Sequence, residues 1–303
     1  MANLHEYPQS GNLVERGPIL KELEKKYQEA KNAPLNPKDG FSKITLDELY
    51  NLGQRILNAK DVWQAYNILA EPSKSGLPYY DLVIGPQHLR GLGAISEALD
   101  FLIPPPQKVE NGLDIGAGTG TSTLVLTKKC RKITALDLNL NLLNWTKIVL
   151  EELKNRKAIH DYQILVGDAL FLGFSSNSFD IVIAHGLNSY LTPKEILKFY
   201  QEVWRVLKPG GSFFKYLADL PSNHPVYSTS RRAELAGVVA KALLSFTYAP
   251  FYQTSKNILT YENLPFNQEI LKVSKSPYNE RVLLLTKITP TSPKSQTKRL
   301  LEK

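Results

Sequence analysis

The 303-residue chain carries 37 Lys and Arg against 29 Asp and Glu, a formal net charge of +8, and 43% of its residues are apolar. That apolar share is ordinary for a folded protein and excludes a disordered or collagen-like chain, while the length allows one large domain or two modest ones. Cys130 is the single cysteine, which excludes an intrachain disulfide and cysteine-rich zinc or iron–sulfur sites.

Part of the basic surplus sits at the end of the chain, where Lys294, Lys298, Arg299 and Lys303 face only Glu302. A frayed basic tail explains it without a nucleic-acid groove. The N-terminus lacks a basic flank followed by an apolar run, so no signal peptide is expected. The longest apolar stretch, Leu235 to Phe246, is interrupted by Lys241 and falls short of the ~20 residues a membrane span needs. A soluble, cytoplasmic protein is expected.

Residues 1–85 read as a helical cap or lid. Ile19 to Ala30 is rich in good helix formers. Thr45-Leu46-Asp47-Glu48 has capping-box spacing ahead of Leu46, Leu49, Tyr50, Ile56 and Leu57. Asp61 is placed to cap a further helix, which Pro72 and the Ser73–Gly76 run then break.

Residues 86–288 read as one domain. Short apolar runs at Gly112–Ile115, Ile133–Asp137, Tyr162–Val166, Asp180–Ala184 and Ser212–Leu217 alternate with helical patterns at Thr121–Lys129, Leu140–Arg156 and Pro193–Leu207. Such alternation predicts an α/β fold with a mostly parallel sheet and helices on both faces. A helix over Ser230–Phe246 falls within an insert at about 218–267, expected to form a lid. Ile270–Val273 and Val282–Ile288 are expected to pair antiparallel and close the sheet edge. Residues 289–303 read as a disordered basic tail.

The chemistry concentrates at Leu113-Asp114-Ile115-Gly116-Ala117-Gly118-Thr119-Gly120. Glycines let the backbone turn sharply and let a ligand approach where a Cβ would clash. In open sheets of this kind the site lies past the carboxyl ends of the strands. The dinucleotide fingerprint G-x-G-x-x-G would need its third glycine at Thr121, and a P-loop would need Gly-Lys-Ser/Thr; neither is present. Asp137, at the end of the second strand, can accept from both ribose hydroxyls of either NAD or an adenosyl ligand, or can cap the helix near Leu140. Asp168, at the end of the third, can accept from an adenine amino group or cap a turn.

These elements, in this order, with Phe179-Asp180-Ile181-Val182 and Leu207-Lys208-Pro209-Gly210-Gly211, resemble the class I methyltransferases that use S-adenosylmethionine (SAM), especially those acting on small molecules. The resemblance covers roughly residues 85–217. It implies a Rossmann-like sheet of seven strands with an antiparallel closing strand. It also implies SAM as cofactor: Gly116, Ala117, Gly118 and Gly120 against its methionine part, Asp114 near its amino group, and Asp137 on its ribose. Asp168 and the Ala169 backbone would bracket the adenine, with Leu138 and Leu170 on its faces. His185, after the fourth strand, would pass beside the sulfonium and the acceptor. By analogy Tyr80, with Tyr79, would close over SAM.

Methyl transfer needs a base only if the acceptor must lose a proton. His185 and His224 are the candidate bases, with Asp219 near the second. No metal site is expected. The aromatic cluster Phe246, Tyr248, Phe251 and Tyr252 points to core or, if it lines a pocket, to a hydrophobic or aromatic small-molecule acceptor. The alternatives are an RNA or protein methyltransferase, a dehydrogenase, and a SAM-binding protein of the same fold without methyl transfer. Ala184-His185-Gly186-Leu187-Asn188 stands where the nucleic-acid amino methyltransferases resembling this fold carry Asn/Asp-Pro-Pro-Tyr/Phe, which argues against that subclass.

Overall fold

The computed structural model describes residues 15–34, 36, 38, 40–216, 225–246, 266–272 and 281–287. His224, Asp219, Tyr248, Phe251, Tyr252 and the 289–303 tail lie outside them.

Five parallel strands form the sheet's main body: β1 (Val109–Ile115), β2 (Cys130–Asp137), β3 (Asp161–Val166), β4 (Phe179–Ile183) and β5 (Leu207–Tyr216). Two more, β6 (Phe266–Lys272) and β7 (Arg281–Lys287), complete the order β3-β2-β1-β4-β5-β7-β6. The strand that follows last in sequence inserts between β5 and β6 and runs antiparallel to both. The order reverses between β1 and β4, and the carboxyl ends of those strands form the crevice where α/β sheets place ligands.

Helices on both faces explain why the centres of β4 and β5 are apolar on both sides. Ile181 and Ile183 pack on one side of β4 and Val182 on the other; Phe214 and Phe213 divide in the same way on β5. The first face is covered by α5 (Gly85–Leu102), α6 (Thr123–Thr127) and α7 (Leu140–Asn155), through Ile95, Leu99, Leu126, Leu143 and Leu150. The second is covered by α8 (Pro193–Val206), whose Phe199, Tyr200 and Val203 meet Phe213. A capping box at Thr192 and Glu195 starts α8.

The N-terminal helices are α1 (Arg16–Lys31), α2 (Leu46–Leu57), α3 (Val62–Ala70) and α4 (Tyr79–Val83). Thr45 and Glu48 form the expected capping box on α2, and Asp61 caps α3 through Gln64 N–H at 2.8 Å. These helices share a core with α9 (Arg231–Leu244), the helix read within the insert, through Leu23, Leu52, Ile56, Leu69, Val239 and Leu243. Ion pairs Lys26–Glu234 at 2.7 Å and Lys241–Glu22 at 2.6 Å flank the α1–α9 contact.

The helical layer docks directly onto the loops at the sheet's carboxyl edge. Asn67 Oδ1 accepts from the side-chain amides of Asn139 and Asn141, each at 3.0 Å. Trp145 Nε1 donates to Ala70 O at 2.9 Å. Thr119 Oγ1 donates to Asp81 at 2.5 Å.

Candidate active site

The glycine turn emerges from β1 with Gly116, Gly118 and Gly120 at φ +76°, +56° and +89°. Only glycine adopts such angles at little cost. Gly120 has a second constraint, because a Cβ there would stand 3.1 Å from the Thr146 Cα of α7. Its absence of side chain serves packing against α7. Gly116 faces Leu187, and Gly118 faces the Tyr80 ring.

The turn's amides decide what it can hold. Gly116 and Ala117 N–H both donate to Leu136 O, at 2.8 and 3.1 Å; Gly120 N–H donates to Ala117 O at 2.9 Å. Gly118 N–H donates to Asp137 Oδ2 at 2.9 Å. These four donors are used inside the fold, so they do not make a phosphate cradle of the kind that P-loops present. The following helix α6 has five residues and Ser122 makes no side-chain cap, so its N-terminus adds little to the turn.

Three carboxylates surround the turn. Asp114 lies beneath it, 0% exposed, with Oδ2 accepting from Ser122 and Thr123 hydroxyls at 2.7 Å each. Its Oδ1 is enclosed with no hydrogen-bond partner among the described residues, and burial pushes the carboxyl up to about 6. The side chain lies beneath the backbone of the turn, with that one oxygen unpartnered among the described residues.

Asp137 accepts from Gly118 N–H and, at 2.8 Å, from Asn139 N–H. Asn139, not Asp137, is the N-cap of α7, accepting from Leu142 N–H at 3.1 Å. Asp137 is therefore held rigidly with lone pairs to spare, since a carboxylate offers about four acceptor sites. Burial raises its pKa. The third carboxylate, Asp81 of α4, also has a raised pKa through burial, opposed by the Thr119 and Thr121 hydroxyls.

Asp168 accepts from Leu170 N–H at 2.8 Å, the turn-capping geometry that its sequence position allowed. Leu138 is half-buried beside Asp137. Leu170, 2% exposed, and Ala169, 5% exposed, pack into the core beneath the sheet's second face. Leu170 shares its buried cluster with Leu172 and Leu136.

His185 follows β4 at the crevice and is half-buried overall, but its Nε2 is fully enclosed. Desolvation pushes the imidazole down to about 4. It is neutral at pH 7 and a weak base, better fitted to accept a hydrogen bond than to abstract a proton.

Sequence reasoning found Tyr80 but missed its companions. Tyr66 of α3 and Tyr190, in the short 3₁₀ helix Leu187–Tyr190, join hydroxyl to hydroxyl. The Tyr66 ring meets Tyr190 edge-on at 5.5 Å and Tyr80 at 6.0 Å. Burial holds all three phenols protonated, with Tyr190 pushed up to about 12, and Asp137 acts on each in the same direction. The three tyrosines come from three separate segments, so no local spacing could have announced the wall they form beside Asp137.

A sheet-edge turn flanked by carboxylates, with four of its amides spent internally, offers little to a dinucleotide pyrophosphate. Residues 113–214 match a protein-family model described as a methyltransferase domain. By this match, residues 113–214 are a methyltransferase domain. It is 35% identical over 128 residues to the demethylmenaquinone methyltransferase of Renibacterium salmoninarum, covering 42% of this chain and 46% of that one. It is 36% identical over 109 residues to the enzyme of the same name from Staphylococcus aureus strain JH9, covering 35% and 42%. The chain thus spans under half the length of these curated relatives. Among solved structures, it is similar to an N-methyltransferase from Bradyrhizobium japonicum in complex with S-adenosylhomocysteine (SAH), at TM-score 0.46 and 15% identity, covering 76% of this chain and 99% of that one.

Among the described residues no cluster of His, Cys, Asp and Glu could hold a metal ion, and no helix is long and apolar enough to cross a membrane. The ion pair of Lys208 Nζ with both Asp180 oxygens, at 2.8 Å each, ties the start of β5 to β4.

Proposed function

We propose that the protein transfers the methyl group of SAM to a small, hydrophobic or aromatic acceptor. The observation that carries this reading is the turn itself, with its amides consumed internally and the Asp137 carboxylate fixed beside it. The relatives' quinone-directed name supports a quinol-type ring as the first acceptor to test. The apolar and aromatic lining from Leu187, Tyr66, Tyr80 and Tyr190 fits such a ring.

SAM, when bound, supplies an electrophilic methyl on a sulfonium. The chain's own residues then have distinct tasks. Asp137 accepts from the ribose hydroxyls while Gly118 and Asn139 N–H hold it in place. Asp168 receives the adenine amino group at the end of β3, and Leu138 lies along the ring. The tyrosine wall excludes water and orients the acceptor, and such positioning is what an in-line displacement chiefly needs. Neutral His185 accepts a hydrogen bond from the acceptor and takes its proton only where the acceptor is already acidic. His224 remains a candidate second base.

Incubating the protein with methyl-labelled SAM and a reduced naphthoquinone lacking one ring methyl tests this directly. Label is expected in the ring product with stoichiometric SAH. SAM binding with no labelled product from quinols, phenols or amines would leave the runner-up, a SAM-binding protein without transfer.

A further inference from the structure

Asp114, the carboxylate that the family resemblance places near the donor's ammonium, lies beneath the turn at 0% exposure. Asp137 is committed to the ribose side, where it also fixes Gly118 and Asn139 N–H. The remaining carboxylate at the turn is Asp81, which no motif singled out. It belongs to α4 of the helical layer, stands half-buried, and accepts from Thr119 Oγ1 at 2.5 Å and from the Thr121 hydroxyl. Thr119 lies between Gly118 and Gly120, so Asp81 sits one hydrogen bond from the backbone that faces the methionine part. Its neighbour Tyr80 covers Gly118.

Two hydroxyl donors occupy two of about four acceptor sites on a carboxylate, and the rest stay open. Among the described residues no lysine or arginine pairs with Asp81, and the groups acting on it are the two threonine hydroxyls. A half-buried carboxylate kept beside a ligand turn without a cation gains most when the ligand brings one.

We infer that Asp81 binds the α-ammonium of the donor, making the helical layer a direct contributor to the SAM site. This rests on the SAM-binding reading above. Asp81 thereby couples donor binding to the docking of α4, because the same carboxylate holds both Thr119 and the ligand.

The test is a ligand-and-residue cycle by isothermal titration, using SAH and the SAH analogue that lacks its α-amino group. In the wild-type protein the analogue is expected to bind ~10-fold or more weaker, the range for losing a hydrogen bond to a charged group. In Asp81→Asn that gap should close to within ~2-fold, because the residue's partner is gone from both ligands. Asp81→Glu keeps the charge and should retain much of the gap. It also serves if the asparagine variant does not fold.

Thr119→Val removes the latch but not the carboxylate, and should weaken both ligands alike while keeping the gap. A gap that persists in Asp81→Asn, or one absent from the wild type, overturns the assignment and leaves Asp81 a structural latch. Failure of the wild-type protein to bind SAH at all would instead sink the SAM reading itself.

Discussion

Asp137 and His185 show how burial divides the residues of the site. The Asp137 carboxylate is raised in pKa by burial yet pinned by the Asn139, Gly118 and Leu138 amides, and the proposed ribose contact draws on the acceptor capacity that remains. Replacing it with alanine removes charge-assisted bonds worth about 1.5–3 kcal/mol together with the amides' partner. SAM affinity measured by titration should fall ~10-fold or more; an unchanged affinity would remove the ribose assignment. His185 makes a pH-dependent contribution whose sign follows from its lowered pKa. Between its ordinary 6.5 and about 4, the unfolded chain binds a proton that the folded imidazole refuses, so stability falls as pH drops through that window. Asp114, raised to about 6, does the opposite: the folded carboxyl takes a proton first, and stability rises from about pH 6 toward 4. In His185→Asn only the Asp114 contribution remains of the two. The change in urea midpoint from pH 7 to pH 5 should therefore be more favourable in the variant than in the wild type. An identical change in both proteins would mean the imidazole is not desolvated.

At the scale of elements, the local signals were the legible ones. The capping box at Thr45, the Asp61 cap and the apolar runs of β1 to β5 were set by side chains within a few residues of each other, and the structure places them as read. Strand starts were read late at β1, β2 and β5, because Val109 to Asn111 are half-buried, Arg131 and Lys132 are exposed, and Lys208-Pro209-Gly210-Gly211 reads as a chain reversal. The tyrosine wall and the Asp81 latch were not legible, since each joins segments 38 to 124 positions apart through tertiary packing. The partners of Asp114 were not legible for a related reason: a strand residue's direction flips every position, and only the sheet reveals that this one meets the Ser122 and Thr123 hydroxyls. Gly120→Ala tests the turn as an element. It combines φ +89° with a 3.1 Å approach to Thr146 Cα, and should destabilise by about 1–3 kcal/mol. A melting temperature within a degree of wild type would contradict the packing role.

For the whole molecule, the helical layer packs onto the loops at the sheet's carboxyl edge. Its own core unites α1 to α4 with α9, and its polar contacts land on the turn after β1, the loop after β2 and the start of α7. Ligand binding at the turn should therefore protect α3 and α4 from hydrogen exchange, and protection confined to the sheet loops would show the layer to be independent. The central claim is that the turn at Gly116–Gly120 binds a sulfonium nucleoside and not a dinucleotide. Isothermal titration of the full chain with SAM, SAH and NAD tests it most directly. Saturable binding of SAM and SAH with no heat from NAD is the expected result, and tight NAD binding with none for SAM would contradict it.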